Sequence, residues 1–284
     1  MTEALFYEKI ENNFVECMLC PHGCRIGENK TGVCGVRKNI GGALYAEGYG
    51  QITAVADDPV TKKPLNFFHP DKRVLSFGSY GCNFKCAFCQ NHHISMGRPR
   101  AEYFPPEKIA DLAEAHVPTG NIGAAFTYNE PLINFEYVLD CARLIRRRGM
   151  MNVLVTNGFI NKEPLDALLP FIDAMNIDLK SFNPEFYKKI GGELEPVKQT
   201  IIKSASVCHV EVTTLIIPGE NDGADEMGAL AGWLAGIDEN IPLHVSRFFP
   251  RHKMADKNPT PRETLDTLAG VAGKYLKFVV KGNV

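Results

Sequence analysis

The stretch Gly81-Cys82-Asn83-Phe84-Lys85-Cys86-Ala87-Phe88-Cys89 limits what this chain can become more than any other. It places Cys82, Cys86 and Cys89 at C-x₃-C-x₂-C spacing, just after the apolar run Val74-Leu75-Ser76-Phe77. That order reads as a buried strand running into a loop, with three thiols at the strand's C-terminal end. A compact three-thiol loop suits a cuboidal iron–sulfur cluster, and three local ligands leave one of its four irons without a protein thiolate. That iron is then available to substrate or cofactor.

A second group, Cys17, Cys20, Cys24 and Cys34, runs as C-x₂-C-P-H-G-C-x₉-C among Gly23, Gly27, Gly32 and Gly35. Four cysteines in so short a segment suit a second metal, either tetrahedral zinc or another iron–sulfur cluster. His22 is a candidate substitute ligand. The charged N-terminal stretch has no apolar h-region, and the chain has no run of eighteen apolar residues, so a cytoplasmic location is expected. Cysteines in that setting point to metal rather than disulfides. Cys141 and Cys208 sit in apolar helix and strand patterns and read as core thiols. The formal net charge of −2 marks no polyanion partner. The basic run Arg146-Arg147-Arg148, with Arg143, closes a predicted helix, where cations complement the helix end and need neither nucleic acid nor membrane.

From residue 74 onward, strand-like runs at 74–77, 122–127, 152–156, 174–179, 207–217 and 243–249 alternate with helical patterns at 106–117, 132–148, 162–169, 184–190, 196–205 and 224–239. A helix at 261–273 and a strand at 275–280 follow. This α/β alternation predicts a parallel sheet in a partial (β/α)6 TIM-like barrel, with an open doubly wound sheet as the other candidate. The expected division is a Cys-rich accessory region over 1–70 and a barrel domain over 71–284. Within the former, 43–55 reads as β-like and 61–70 as a loop packed on the barrel, with His69 a structural or surface histidine.

In β/α barrels the chemistry gathers at the C-terminal ends of the strands. Those ends carry the three cysteines with Gln90, Asn91, His92 and His93; then Thr127-Tyr128-Asn129-Glu130; Thr156-Asn157; Asp178 and Lys180; and His244, Ser246 and Arg247. His209 and Glu211 share one face of their strand by two-residue alternation, either the lumen face or the outer one.

With Phe88 at the aromatic position of C-x₃-C-x-aromatic-C, residues 74–255 resemble the radical S-adenosylmethionine (radical SAM) superfamily. Cys-Gln-Asn, Thr-Asn-Gly-Phe, Asp-Leu-Lys, Ile-Pro-Gly-x-x-Asp and Phe-Phe-Pro-x-His resemble its glycyl-radical activating enzymes, such as the pyruvate formate-lyase activator. The N-terminal C-x₂-C-P-H-G-C group resembles the AmmeMemoRadiSam-system enzymes. The resemblance implies a 4Fe-4S cluster on Cys82, Cys86 and Cys89 and reductive cleavage of S-adenosyl-L-methionine to a 5′-deoxyadenosyl radical. It further implies cofactor contacts from Phe88, from Asn129 and Glu130 (where the family has Gly-Gly-Glu-Pro), and from Thr156, Asn157, Asp178, Lys180 and His252. Implied partners are a flavodoxin or ferredoxin reductant and Memo-type and AMMECR-type proteins. Val155 stands where the pyruvate formate-lyase activator has Asp, and the extra cysteines precede the cluster motif rather than follow it. The alternatives are a non-radical group transferase using the same cofactor, and an iron–sulfur electron-transfer or metal-binding protein.

Overall fold

The computed structural model describes residues 1–284. Seven short strands come first: β1 (Thr2–Glu3), β2 (Tyr7–Lys9), β3 (Val15–Cys17), β4 (Arg25–Ile26), β5 (Arg37–Ile40), β6 (Ala43–Ala46) and β7 (Gln51–Ile52). They form two small antiparallel sheets, β1-β6-β5 and β2-β3-β4, while β7 pairs with β10 (Glu102–Tyr103). The closely spaced glycines turn the chain before any strand grows long. Positions 43–55, expected as one β-like stretch, are thus broken into separate strands by turns at 47–50.

The large sheet has the order β16-β15-β14-β13-β12-β11-β9-β8. Its strands are β8 (Ala54–Pro59), β9 (Arg73–Gly78), β11 (Asn121–Phe126), β12 (Met151–Thr156), β13 (Ala174–Asp178), β14 (His209–Ile216), β15 (Leu243–Arg247) and β16 (Val279–Gly282). Only β8 runs antiparallel to its neighbour. The parallel strands follow one another in chain order without reversal. A doubly wound sheet reverses its order at a switch point, so the partial barrel is the architecture adopted. The sheet does not close, because β8 and β16 do not pair. The 70/71 position falls between two hydrogen-bonded strands of this sheet, β8 and β9. The last strand begins at 279 rather than 275, because turns at 273–275 follow the final helix.

Between the strands lie α1 (His92–Ser95), α2 (Pro106–Ala115), α3 (Phe135–Arg147), α4 (Lys162–Leu168), α5 (Pro184–Ile190), α6 (Leu194–Ala205), α7 (Ala224–Asp238) and α8 (Arg262–Ala272). Helix α3 shows why they pack outside the sheet. Phe135, Val138, Leu139, Ala142 and Ile145 recur at helical spacing and are buried as one stripe. Its basic end is spoken for: Arg146 faces Asp173 at 3.8 Å, and Arg148 faces Asp111 at 2.7 Å and Glu114 at 2.9 Å. No helix is long and apolar enough to cross a membrane.

The 61–70 connector plugs the lumen rather than lying outside it. Asn176 Nδ2 donates to the Pro64 carbonyl at 2.8 Å, and the Asn66 and Phe67 amides donate to the Glu211 carboxylate at 3.0 and 2.8 Å. His209 and His244 approach the same carboxylate at 3.0 and 2.6 Å. Glu211 therefore forms the floor, on the lumen face. Burial alone would raise its pKa, but the two histidines and two amides outweigh burial and hold it down to about 2. A folded-state pKa below the unfolded one stabilises above the unfolded value and is lost as pH falls through the folded value. Glu211→Gln should therefore lower the unfolding free energy at pH 7 by roughly 3 kcal/mol and flatten its fall between about pH 4.5 and 2. Urea unfolding of both proteins across that range checks this; equal slopes would refute it.

Candidate active site

Strand β9 ends at Gly78, and the cluster loop follows. Asn129, at the end of β11, fastens that loop. Its Oδ1 accepts the Ser79 amide at 2.9 Å, and its Nδ2 donates to the carbonyls of Tyr80 and Gly81, each at 3.1 Å. The side chain is thus fully used in positioning. Gly81 has φ +86°, and a Cβ there would sit 2.6 Å from the Cys34 carbonyl oxygen, so only glycine fits this close approach. The Phe84 amide donates to Cys82 Sγ at 3.4 Å, and Asn157 Nδ2 lies 3.8 Å from the same sulfur. Burial pushes the Cys86 thiol up to about 11 and raises that of Cys82 as well. Iron supplies the positive charge that turns such buried thiols into thiolates.

The three cysteines and Phe88 open onto a cavity of about 670 Å³ at the C-terminal mouth of the sheet. Asn129, Glu130, Thr156, Asn157, Asp178 and Lys180 line it too, each from the strand end expected for it. Glu130 is its most telling group. Thr156 Oγ1 donates to Oε1 at 2.6 Å, and the Leu132 and Asn157 amides donate at 3.0 and 2.7 Å. Burial nevertheless pushes the carboxyl up to about 7. Its cationic neighbour Lys180 is paired elsewhere, with Asp178 at 2.8 Å. Burial opposes the Lys180 charge, but Asp178 and the Cys86 thiol outweigh it and raise its pKa. The mouth thus holds a buried acid without a cation of its own beside a firmly charged lysine. An amino acid's ammonium and carboxylate would complement that donor set.

Phe88 is nearly buried, its ring 6.0 Å from that of Phe186. His252 does not line the cavity. It stacks on His92 at 4.4 Å behind the cluster loop, to which the Lys253 amide is joined through the Ala87 carbonyl at 3.0 Å. His92 faces the Cys89 carbonyl at 3.3 Å through Nδ1. Cys17, Cys20, Cys24 and Cys34 line a separate small cavity with His22. Cys141 is fully buried, and Cys208 Sγ lies 3.5 Å from the Ser204 carbonyl.

Several lining groups have no marker in the sequence. Lys63 enters from the connector, nearly buried, with Nζ 2.8 Å from Asp58 and 4.8 Å from the Tyr128 ring centre. Tyr128, expected at this strand end, donates its hydroxyl to the same Asp58 at 3.0 Å and holds φ +72°. Thr213 and Leu215 extend the Glu211 face upward into the cavity, where they meet His244 and Ser246. Lys281 and Asn283 reach it from the C-terminal strand. The one available signal was Lys62-Lys63-Pro64 beside an aromatic run.

A partial β/α barrel with a three-cysteine loop and an acid–base-lined cavity at its strand ends defines an enzyme that works through a bound cluster and an organic cofactor. The model of the radical SAM superfamily matches residues 77–231, and the chain belongs to that superfamily. Its members use a 4Fe-4S cluster and S-adenosylmethionine, and the cysteine triad and the Glu130 and Lys180 cavity fit those groups. Within the superfamily the chain is activating-enzyme-like. It is 23% identical to the pyruvate formate-lyase 1-activating enzyme of Escherichia coli K12, over 72% of this chain and 90% of that one. It is 42% identical to uncharacterized protein MJ0808 of Methanocaldococcus jannaschii, over the whole of this chain and 86% of that protein. The fold is also that of Streptococcus suis SuiB, solved bound to S-adenosylmethionine. That match has a TM-score of 0.56 at 13% identity and covers 72% of this chain and 48% of SuiB.

Proposed function

We propose that the protein binds S-adenosylmethionine at the Cys82, Cys86 and Cys89 cluster and uses it to abstract hydrogen from a protein segment or small molecule entering at the strand ends. The observation that carries this reading is the opening of the three thiols and of Glu130 onto one cavity. When bound, the cluster and cofactor supply a 5′-deoxyadenosyl radical, and the protein supplies orientation and exclusion of competing reactions. Glu130 holds the methionyl ammonium, itself kept in place by Thr156 and Asn157. Lys180 answers the carboxylate, and Asp178 keeps Lys180 aimed. Phe88 packs against the adenine. The connector carrying Lys63 closes the lumen below, so that substrate approaches from the open mouth.

The reading extends to an activating-enzyme type of oxidoreductase in the cytoplasm, with electrons from a flavodoxin or ferredoxin. The Cys-rich accessory region lies within residues 1–70 and the barrel domain covers 71–284, with β8 and the 61–70 connector joining the barrel. The N-terminal motif also points to Memo-type and AMMECR-type proteins as partners. Val155 lines the cavity where the pyruvate formate-lyase activator has Asp, so a cation site there has no carboxylate from this position.

Anaerobic incubation of the reduced, cluster-loaded protein with S-adenosylmethionine should release 5′-deoxyadenosine and methionine. S-adenosylhomocysteine in their place would move the protein to the group transferases. Failure to bind the cofactor would leave only an electron-transfer role.

A further inference from the structure

We infer that His22, in the Cys-rich N-terminal hairpin, is a positioning residue for the cluster of Cys82, Cys86 and Cys89. It fixes the peptide that bonds the Cys82 sulfur and thereby raises the cluster's reduction potential. The inference rests on the reading of that triad given above.

The local geometry puts one peptide unit under the control of His22. His22 Nε2 donates to the Asn83 carbonyl at 2.8 Å. A carbonyl only accepts, so the ring hydrogen sits on Nε2. That nitrogen is therefore closed to a metal, although its place among the N-terminal cysteines makes His22 a candidate substitute ligand. Asn83 is buried, and no other donor in the protein reaches its carbonyl. The Asn83 carbonyl and the Phe84 amide belong to one planar peptide. The Phe84 amide donates to Cys82 Sγ at 3.4 Å. One rigid plate thus takes a hydrogen bond from His22 at its oxygen and gives one to the sulfur at its nitrogen. Bonds in series strengthen one another, and N–H groups aimed at a cluster's sulfurs stabilise its reduced, more negative state.

His22 stands on a fixed mount. The Cys17 amide donates to the Cys24 carbonyl at 2.9 Å and the Gly23 amide to the Cys20 carbonyl at 3.2 Å, which closes the turn that carries it. Pro21 restricts that turn, and Gly23 supplies its left-handed backbone at φ +51°. The barrel grips the same hairpin from the end of β12. The Asn161 amide donates to the Leu19 carbonyl at 3.1 Å, and Asn161 Nδ2 to the Met18 carbonyl at 2.7 Å. The His22 ring meets the Phe159 ring edge-on, with centroids 5.2 Å apart.

The side chain of Asn83 carries the same constraint to the cofactor end of the cavity. Its Nδ2 donates to the Phe159 carbonyl at 2.9 Å, and its Oδ1 accepts from Asn157 Nδ2 at 2.8 Å. The Asn157 amide in turn donates to Glu130 at 2.7 Å. The Cys82 sulfur and the acid assigned to the cofactor's ammonium therefore both take their place from Asn83. Asn83 takes its own from His22, so the N-terminal region acts on the site through one imidazole.

The test compares His22→Leu, which removes the donor, with His22→Gln, whose amide nitrogen can still reach the carbonyl. Each full-length chain is loaded anaerobically with iron and sulfide, then titrated with reductant while the paramagnetic signal of the reduced cluster is followed. His22→Leu should lower the midpoint potential by up to about 59 mV, a tenfold change in the one-electron equilibrium. His22→Gln should stay near the wild-type value. Equal potentials for wild type and His22→Leu overturn the proposal, as does a glutamine variant shifted as far as the leucine one. Hydrogen exchange read by mass spectrometry needs neither cluster nor turnover. The segment 79–86 should exchange up to about tenfold faster in His22→Leu and at the wild-type rate in His22→Gln; an unchanged rate in His22→Leu refutes the anchoring. If His22→Leu does not fold, His22→Gln decides alone, since a displaced potential there overturns the proposal. A wild-type protein that holds the cluster but leaves S-adenosylmethionine uncleaved would sink the functional reading while leaving both comparisons valid.

Discussion

Alanine at Cys82, Cys86 or Cys89 should abolish 5′-deoxyadenosine formation, and each single substitution should be as damaging as all three. On the proposed reading, the three sulfurs would hold the cluster and leave one iron for the cofactor. Losing one thiolate therefore removes the geometry that distinguishes the open iron. Neighbouring groups cannot substitute. His92 is the nearest candidate, but its ring faces the Cys89 carbonyl through Nδ1 and stacks on His252. Asn157 and Asn83 lie beside Cys82 but are bonded to each other. The fold should survive, since the loop is fastened by Asn129 through backbone groups rather than through the thiols. Unchanged far-ultraviolet circular dichroism with no 5′-deoxyadenosine is the expected result. Wild-type turnover by any of the three variants would mean that the cluster sits elsewhere.

The strand ends were legible because motif and topology carry the same information there. Once Val74-Leu75-Ser76-Phe77 reads as a strand, the following loop must lie at the C-terminal mouth, and every later βα junction joins it. The sequence could not show what closes the lumen from below. Glu211 meets the Asn66 and Phe67 amides across a sequence separation of about 145 residues, and no local period encodes such a contact. Lys63 reads as an ordinary loop lysine until the connector is seen inside the sheet. The resemblance to Gly-Gly-Glu-Pro implies a cofactor contact from Asn129, yet its side chain is taken up in holding the cluster loop. His252 matched a motif, but its left-handed backbone, with φ +52°, turns it onto His92 and away from the cavity.

Replacing Glu130 by glutamine should weaken S-adenosylmethionine binding by about 10- to 100-fold, the effect of losing one charge-assisted hydrogen bond in a buried site. The argument turns on the cost of the buried charge. In the free protein, burial pushes this carboxyl up to about 7, against the pull of Thr156 and the Asn157 and Leu132 amides. A carboxyl raised on folding is a liability: the folded state carries no penalty below the unfolded pKa near 4.5, and the penalty grows until the pH passes about 7. Glutamine removes that liability, worth roughly 3 kcal/mol at alkaline pH, but its amide nitrogen gives up one acceptor to the surrounding N–H groups, at about 1–2 kcal/mol. The variant should therefore be no less stable than wild type above pH 7, although it binds the cofactor worse. The cofactor's ammonium needs the ionised form, so wild-type affinity should fall by up to about tenfold per pH unit below 7, while the variant's affinity stays flat. Anaerobic titration calorimetry between pH 6 and 8 measures both slopes. A wild-type affinity independent of pH, or a variant that binds as tightly, would place the ammonium against some other group.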